Sequence, residues 1–206
     1  MTVGLLNQNV NKIYELGSSI SILESDLIKK RKEMFVELLC HFSDSENYDS
    51  KLLGKLFHTS EKLALSGDLR AKFCMADFYA GKYGDSVVTP DLFKALKYVD
   101  IILVEKPAYP FAIKVCENFK SERRAFFYAI MGLTSVKTDG KVKADLAKYV
   151  VKNYINGNRE YRAADISSIV ILRKACNYFE EHSVDLGLED GILEKFSEKL
   201  LKRNVS

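Results

Sequence analysis

The feature that most constrains this chain is a 3.6-residue apolar period that recurs along nearly its whole length. After Asp26, the residues Leu27, Ile28, Met34, Phe35, Leu38, Leu39 and Phe42 fall near i, i+3, i+4 and i+7, while Lys29, Lys30, Lys32, Glu33 and Glu37 take the other side. Strict alternation, the mark of a half-buried strand, is hard to find. Only 3 prolines and 11 glycines occur in 206 residues, which argues against turn-rich sandwiches and low-complexity chains. The expectation is an all-α chain of about nine short antiparallel helices in a single domain spanning 1–206.

Capping chemistry places several helix ends. Asp49 or Ser50 starts a helix that buries Leu52, Leu53, Leu56, Phe57, Leu63 and Ala64 and stops at Gly67, a residue suited to the left-handed turn after a helix. Asp68 caps a third helix carrying Ala71, Phe73, Ala76 and Tyr79 inward, which ends before Gly81 and Gly84. Pro90 or Asp91 opens a fourth, with Leu92, Ala95, Leu96, Val99, Ile102 and Leu103 as its stripe. Pro107 and Pro110 break the chain. A short helix then runs to about Phe119. Ser121 caps the next, with Ala125, Phe126, Ala129, Ile130 and Leu133 inward, and one with Leu146, Tyr149, Val150 and Ile155 follows the turn at Thr138, Asp139 and Gly140. Two more are expected at about 161–181 and 189–202.

Shifting the sequence on itself by 54 residues aligns 71–104 with 125–158 and matches eight of 34 positions, among them Ala71 with Ala125, Phe73 with Phe127 and Leu92 with Leu146. Each copy reads as helix, polar turn, helix, a unit that cannot bury its apolar face alone. The run Ala71-x3-Met75-Ala76-x2-Tyr79-Ala80-Gly81, followed by Asp91-Leu92-Phe93-Lys94-Ala95-Leu96-Lys97-Tyr98, resembles the Sel1-like repeat, a relative of the tetratricopeptide repeat. The good copy covers about 71–105 and a weak one 125–158. Met75-Ala76 stands where the family has Leu-Gly, and the loop 82–90 is longer than the family's turn. The resemblance implies solenoid-like stacked helical hairpins; an irregular helical bundle is the alternative.

The resemblance also implies a function: an adaptor, regulator or scaffold without chemistry of its own, which in a bacterial setting includes an immunity protein that neutralises a toxin or effector. With the first helix of each pair lining an inner surface, the candidate partner contacts are Lys72, Asp77, Tyr79, Tyr83, Arg124 and Tyr128. The alternative is nucleic-acid binding. From Ser121 to Arg162 nine basic residues face four acidic ones, and Arg123, Arg124, Lys141, Lys143, Lys148, Lys152, Arg159 and Arg162 are its candidate contacts, with Tyr149, Tyr154 and Tyr161 as stacking surfaces. An ordinary solvated helix face explains the same charges. The whole chain carries only +3, too little to imply a polyanion partner by itself.

Catalytic signatures do not assemble. His41, His58 and His182 are far apart and none sits in a zinc spacing; no phosphate-binding loop, nucleophile elbow or dinucleotide fingerprint occurs. The expectation is a protein that is not an enzyme and has no metal or cofactor. Cys40, Cys74, Cys116 and Cys176 form no CxxC pair, and each lies among apolar neighbours, which fits reduced core thiols. With no signal-like start and no apolar run of about 18 residues, the chain is expected to be cytoplasmic, without a membrane partner. A homodimer is a further possibility the sequence leaves open.

Overall fold

Three aspartates set the frame of the computed structural model, which describes residues 23–42 and 49–155. Asp49 accepts from the amides of Lys51 and Leu52, Asp68 from that of Ala71, and Asp91 from that of Lys94. Each satisfies amides that the first turn of a helix leaves without a partner. The helices are α1 (residues 23–42), α2 (Ser50–Leu65), α3 (Leu69–Tyr79), α4 (Leu92–Glu105), α5 (Tyr109–Asn118), α6 (Glu122–Thr134) and α7 (Gly140–Ile155). Among the described residues there is no strand, and no helix is long and apolar enough to cross a membrane. The segments at 161–181 and 189–202, with Cys176, His182, Arg159, Arg162 and Tyr161, lie outside the described residues.

The turns follow the local residues. Gly67, Gly81 and Gly84 adopt φ of 93°, 79° and 77°, the left-handed region that disfavours any residue with a Cβ. Lys120 does the same at φ 53° in the turn between α5 and α6, the one non-glycine to do so among the described residues. Ser121 occupies the cap position of α6 but makes no side-chain cap hydrogen bond. Asp139, read from sequence only as a turn residue, accepts from the amides of Lys141 and Val142 and so starts α7.

Helices adjacent in sequence pack on one another from α2 to α7. Helices two apart also touch: the rings of Phe73 on α3 and Phe111 on α5 lie 4.8 Å apart, Asn118 of α5 donates to the Ala80 carbonyl after α3, and Tyr128 of α6 donates to Asp100 of α4. Two apolar clusters result. One gathers Phe35, Leu38 and Phe42 of α1 with Leu53, Leu56 and Leu63 of α2 and Met75 and Phe78 of α3. The other joins Ala76 of α3 to α4, α5, α6 and α7.

Helix α3 therefore belongs to both clusters, and this explains where the one-face reading of it falls short. Lys72, Cys74, Met75 and Phe78 are buried along with Ala71 and Ala76, so most of its circumference is covered. At the outer helix α1 the opposite holds: Leu27 and Met34, expected inward, are exposed, while Phe35, Leu38 and Phe42 are buried. Close approach governs the α5–α6–α7 junction. A Cβ at Gly132 would stand 2.4 Å from Leu146 Cδ1 and 2.8 Å from Tyr109 Cγ.

Candidate functional site

The six residues expected to meet a partner fall in different surroundings. Tyr83 is buried, with its ring 4.6 Å from that of Phe78, and Tyr128 is buried with its hydroxyl donating to Asp100 at 2.9 Å. Burial and that hydrogen bond both push the Tyr128 phenol well above the usual tyrosine range, so it is a fixed, neutral donor. Asp77 holds Lys82 at 2.7 Å beside a cavity of about 440 Å³ between the end of α3 and α5. Arg124 lies over the exposed ring of Phe93, 5.1 Å from its centroid. The buried Lys72 and the half-buried Tyr79 meet in one place.

That place is a pocket of about 360 Å³ where the end of α2, one side of α3 and the face of α4 converge. Its wall is a pair of tyrosines, Tyr79 and Tyr98, stacked 15° from parallel with centroids 6.1 Å apart. Phe57 of α2 meets Tyr79 edge-on and fixes its plane. Burial, helped by nearby Glu61, raises the phenols of both tyrosines above their ordinary value, so at neutral pH each presents an O–H.

Three lysines add the charge. Lys72 is engaged by Glu105, which leaves it little to offer a ligand. Lys94 lies 5.4 Å from the Tyr79 ring centroid and 3.9 Å from Asp91, a long contact for an exposed pair. Lys97 is exposed and has no ion pair among the described residues. Ala64, Leu65 and Ile101 supply the apolar margin, and Leu65 is 82% exposed. Donors and cations thus surround an apolar, aromatic floor. Such a site suits a ligand that pairs an anionic group with an apolar body.

The sequence named Lys72 and Tyr79 but passed over Tyr98, Lys94 and Lys97 as contacts, although Lys94 and Tyr98 lie within the repeat-like run. Tyr79 and Tyr98 are on different helices, and no helix period reveals which residues of two helices will face each other. Of the basic set, Arg123, Lys141, Lys148 and Lys152 are exposed and Lys143 is half-buried. Lys141, Lys148 and Lys152 share a face of α7 by their spacing, with Asp145 between them.

The two buried thiols among the described residues, Cys74 and Cys116, offer no reactive centre. Cys74 is buried with the Ser60 hydroxyl donating to its sulfur at 3.3 Å, and burial raises it to about 11. Cys116 is buried and also raised to about 11. Both are protonated at neutral pH, and only the thiolate is an effective nucleophile. Cys40, expected in the core, is exposed because it sits on the outward side of the outer helix α1. Comparison of the chain with family models, with curated proteins and with solved structures finds no match.

Proposed function

We propose that the protein is a non-catalytic protein-interaction module in which paired helices stack as an array and the α2–α3–α4 pocket holds an anionic, partly apolar segment of a protein partner. The observation that carries this reading is the Tyr79–Tyr98 stack set beside Lys94 and Lys97 under the exposed Leu65 and Ile101. Aromatic anchors flanked by charge are the groups that dominate protein interfaces. The array reading is supported by the contacts between helices two apart, from α3 to α5 and from α4 to α6. A role as adaptor, regulator or neutraliser of a partner fits this surface.

Capture from a nuclease-treated native extract, run in parallel with wild type and with a Tyr98→Ala, Lys97→Glu variant, tests the proposal. The expected outcome is a protein retained by wild type and lost by the variant, while the variant keeps its helical circular dichroism. A partner retained equally by both would remove the pocket from the function. The nucleic-acid reading rests on the exposed Arg123, Lys141, Lys148 and Lys152. It predicts instead a polynucleotide whose affinity falls steeply with salt and with Lys148→Glu, Lys152→Glu.

A further inference from the structure

A second surface, independent of the α4 pocket, carries charge that no ion pair among the described residues neutralises. A groove of about 570 Å³ runs between α1 and α2, lined by Arg31 and Met34 on one side and by Lys51, Lys55, His58 and Lys62 on the other. The four α2 residues stand at i, i+4, i+7 and i+11, a straight stripe of about 16 Å along one helix face. Among the described residues that line the groove there is no carboxylate. Among the described residues, Arg31, Lys51, Lys55 and Lys62 have no ion pair, whereas the neighbouring Lys32 reaches Asp68 at 3.3 Å.

The nearby acids are turned to other tasks. Asp49 caps α2, Asp68 caps α3 and holds Lys32, and Glu61 stands 4.0 Å from the His58 imidazole. Four like charges held on facing helices repel one another, a cost that an anionic occupant would reverse. The floor between them is apolar: Met34 is 41% exposed, and Gly54 presents no side chain into the open space above it.

We infer that this groove docks an acidic amphipathic helix of a partner protein, with carboxylates spaced to meet Arg31 and the Lys51–Lys55–His58–Lys62 stripe and an apolar residue seated on Met34 over Gly54. An acidic helix repeats its carboxylates every three to four residues, the same period as the stripe, and its apolar side fills the floor. A nucleic-acid strand fits less well. A single strand gains much of its affinity from bases stacked on aromatic rings, and among the described residues His58 supplies the one ring in this groove, itself edge-on to Phe57.

The test uses the full chain and a fluorescein-labelled helical peptide of about twenty residues, with Glu at i, i+4, i+7 and i+11 and Leu between them, in an alanine-rich background. A peptide of the same composition with Glu and Leu scrambled, and a single-stranded oligothymidylate, are titrated beside it. Expected are saturable binding of the patterned peptide, weakening by about tenfold or more in Lys55→Glu, Lys62→Glu, and comparable weakening in Gly54→Leu, which fills the floor without altering charge. Lys97→Glu, in the α4 pocket, should leave this binding unchanged, so failure of either surface is separable from the other. Absence of binding, equal binding of the scrambled peptide, tighter binding of the oligothymidylate, or indifference to the Lys55→Glu, Lys62→Glu pair would each overturn the inference.

Discussion

The two apolar clusters are built from different materials. Around α1, α2 and α3 the buried set is made of large side chains, with Phe35, Phe42, Leu53, Leu56, Leu63, Met75 and Phe78 against two alanines. Around α4 to α7 six alanines (Ala76, Ala80, Ala95, Ala112, Ala125 and Ala129) are buried, and Gly132 extends the theme. The first cluster fills its space almost wholly with bulk, whereas the second sets its six alanines among large residues such as Ile102, Phe126 and Leu146, so that backbones approach where the alanines lie. The first should therefore be sensitive to what is taken away and the second to what is added.

Truncation gives the largest expected effect. Phe78→Ala empties a nearly fully buried site on α3 and should lower the stability measured by urea unfolding by about 3 to 5 kcal/mol. Phe93→Ala, at a ring 73% exposed, should cost within about 0.5 kcal/mol. A small loss for Phe78→Ala would break the comparison at its root.

Alkaline pH probes both clusters at once, because each holds one buried thiol. Cys74 and Cys116 are raised by burial to about 11, above the ordinary thiol value. The unfolded chain gives up these protons first, so the stabilisation is fully present below about pH 8 and is lost as pH rises through about 11. Each thiol accounts for roughly 2 to 3 kcal/mol over that window, on the order of two units at about 1.4 kcal/mol each. Chemical denaturation at a series of pH values should show the decline, and Cys74→Ala or Cys116→Ala should each flatten part of it. Native-state labelling should modify the exposed Cys40 well before either buried thiol.

Two helical glycines sharpen the contrast in sign. Gly132→Ala drives a Cβ into Leu146 and Tyr109 and should cost about 1 to 3 kcal/mol. Gly54→Ala meets nothing within 4 Å and should stabilise α2 by about 1 kcal/mol. Equal shifts in thermal midpoint for the two would show that the α5–α6–α7 junction yields easily. A small effect is expected at Thr138, whose hydroxyl is buried in the α6–α7 turn with no hydrogen-bond partner among the described residues. Thr138→Val keeps the shape, removes the unsatisfied group, and should leave stability unchanged or raise it by up to about 1 kcal/mol.

For the described residues helix existence was legible from the apolar period, and several ends from capping: Asp49, Asp68 and Asp91 start helices where read, and Gly67 and Gly81 follow α2 and α3 in the left-handed turn. Which face is buried was legible only where a helix has one. Helix α3 has two, so Lys72, Cys74, Met75 and Phe78 escaped a reading that seeks a single stripe. Tyr83 and Tyr128 read as surface groups because a phenol is at home in water, yet Tyr83 packs on Phe78 and Tyr128 finds Asp100. The pocket tyrosines and the groove between α1 and α2 depend on pairings between helices. Local sequence carries no record of those, although the Lys51, Lys55, His58 and Lys62 stripe lies within one helix and was open to the same periodic test applied to charge.

The stretch from Gly84 to Pro90 joins α3 to α4; Val87 and Val88 pack against the α1–α3 cluster, but Gly84, Asp85 and Ser86 are exposed and are a natural place for a protease to cut. A nick there would leave α3 on the N-terminal piece, while Ala76, Ala80 and the Phe73 ring belong to the packing of the C-terminal one. Neither fragment could then cover its own apolar surface. The nicked halves should co-migrate as a complementing pair on a sizing column, and separating them under denaturant should give two pieces that regain structure only when mixed.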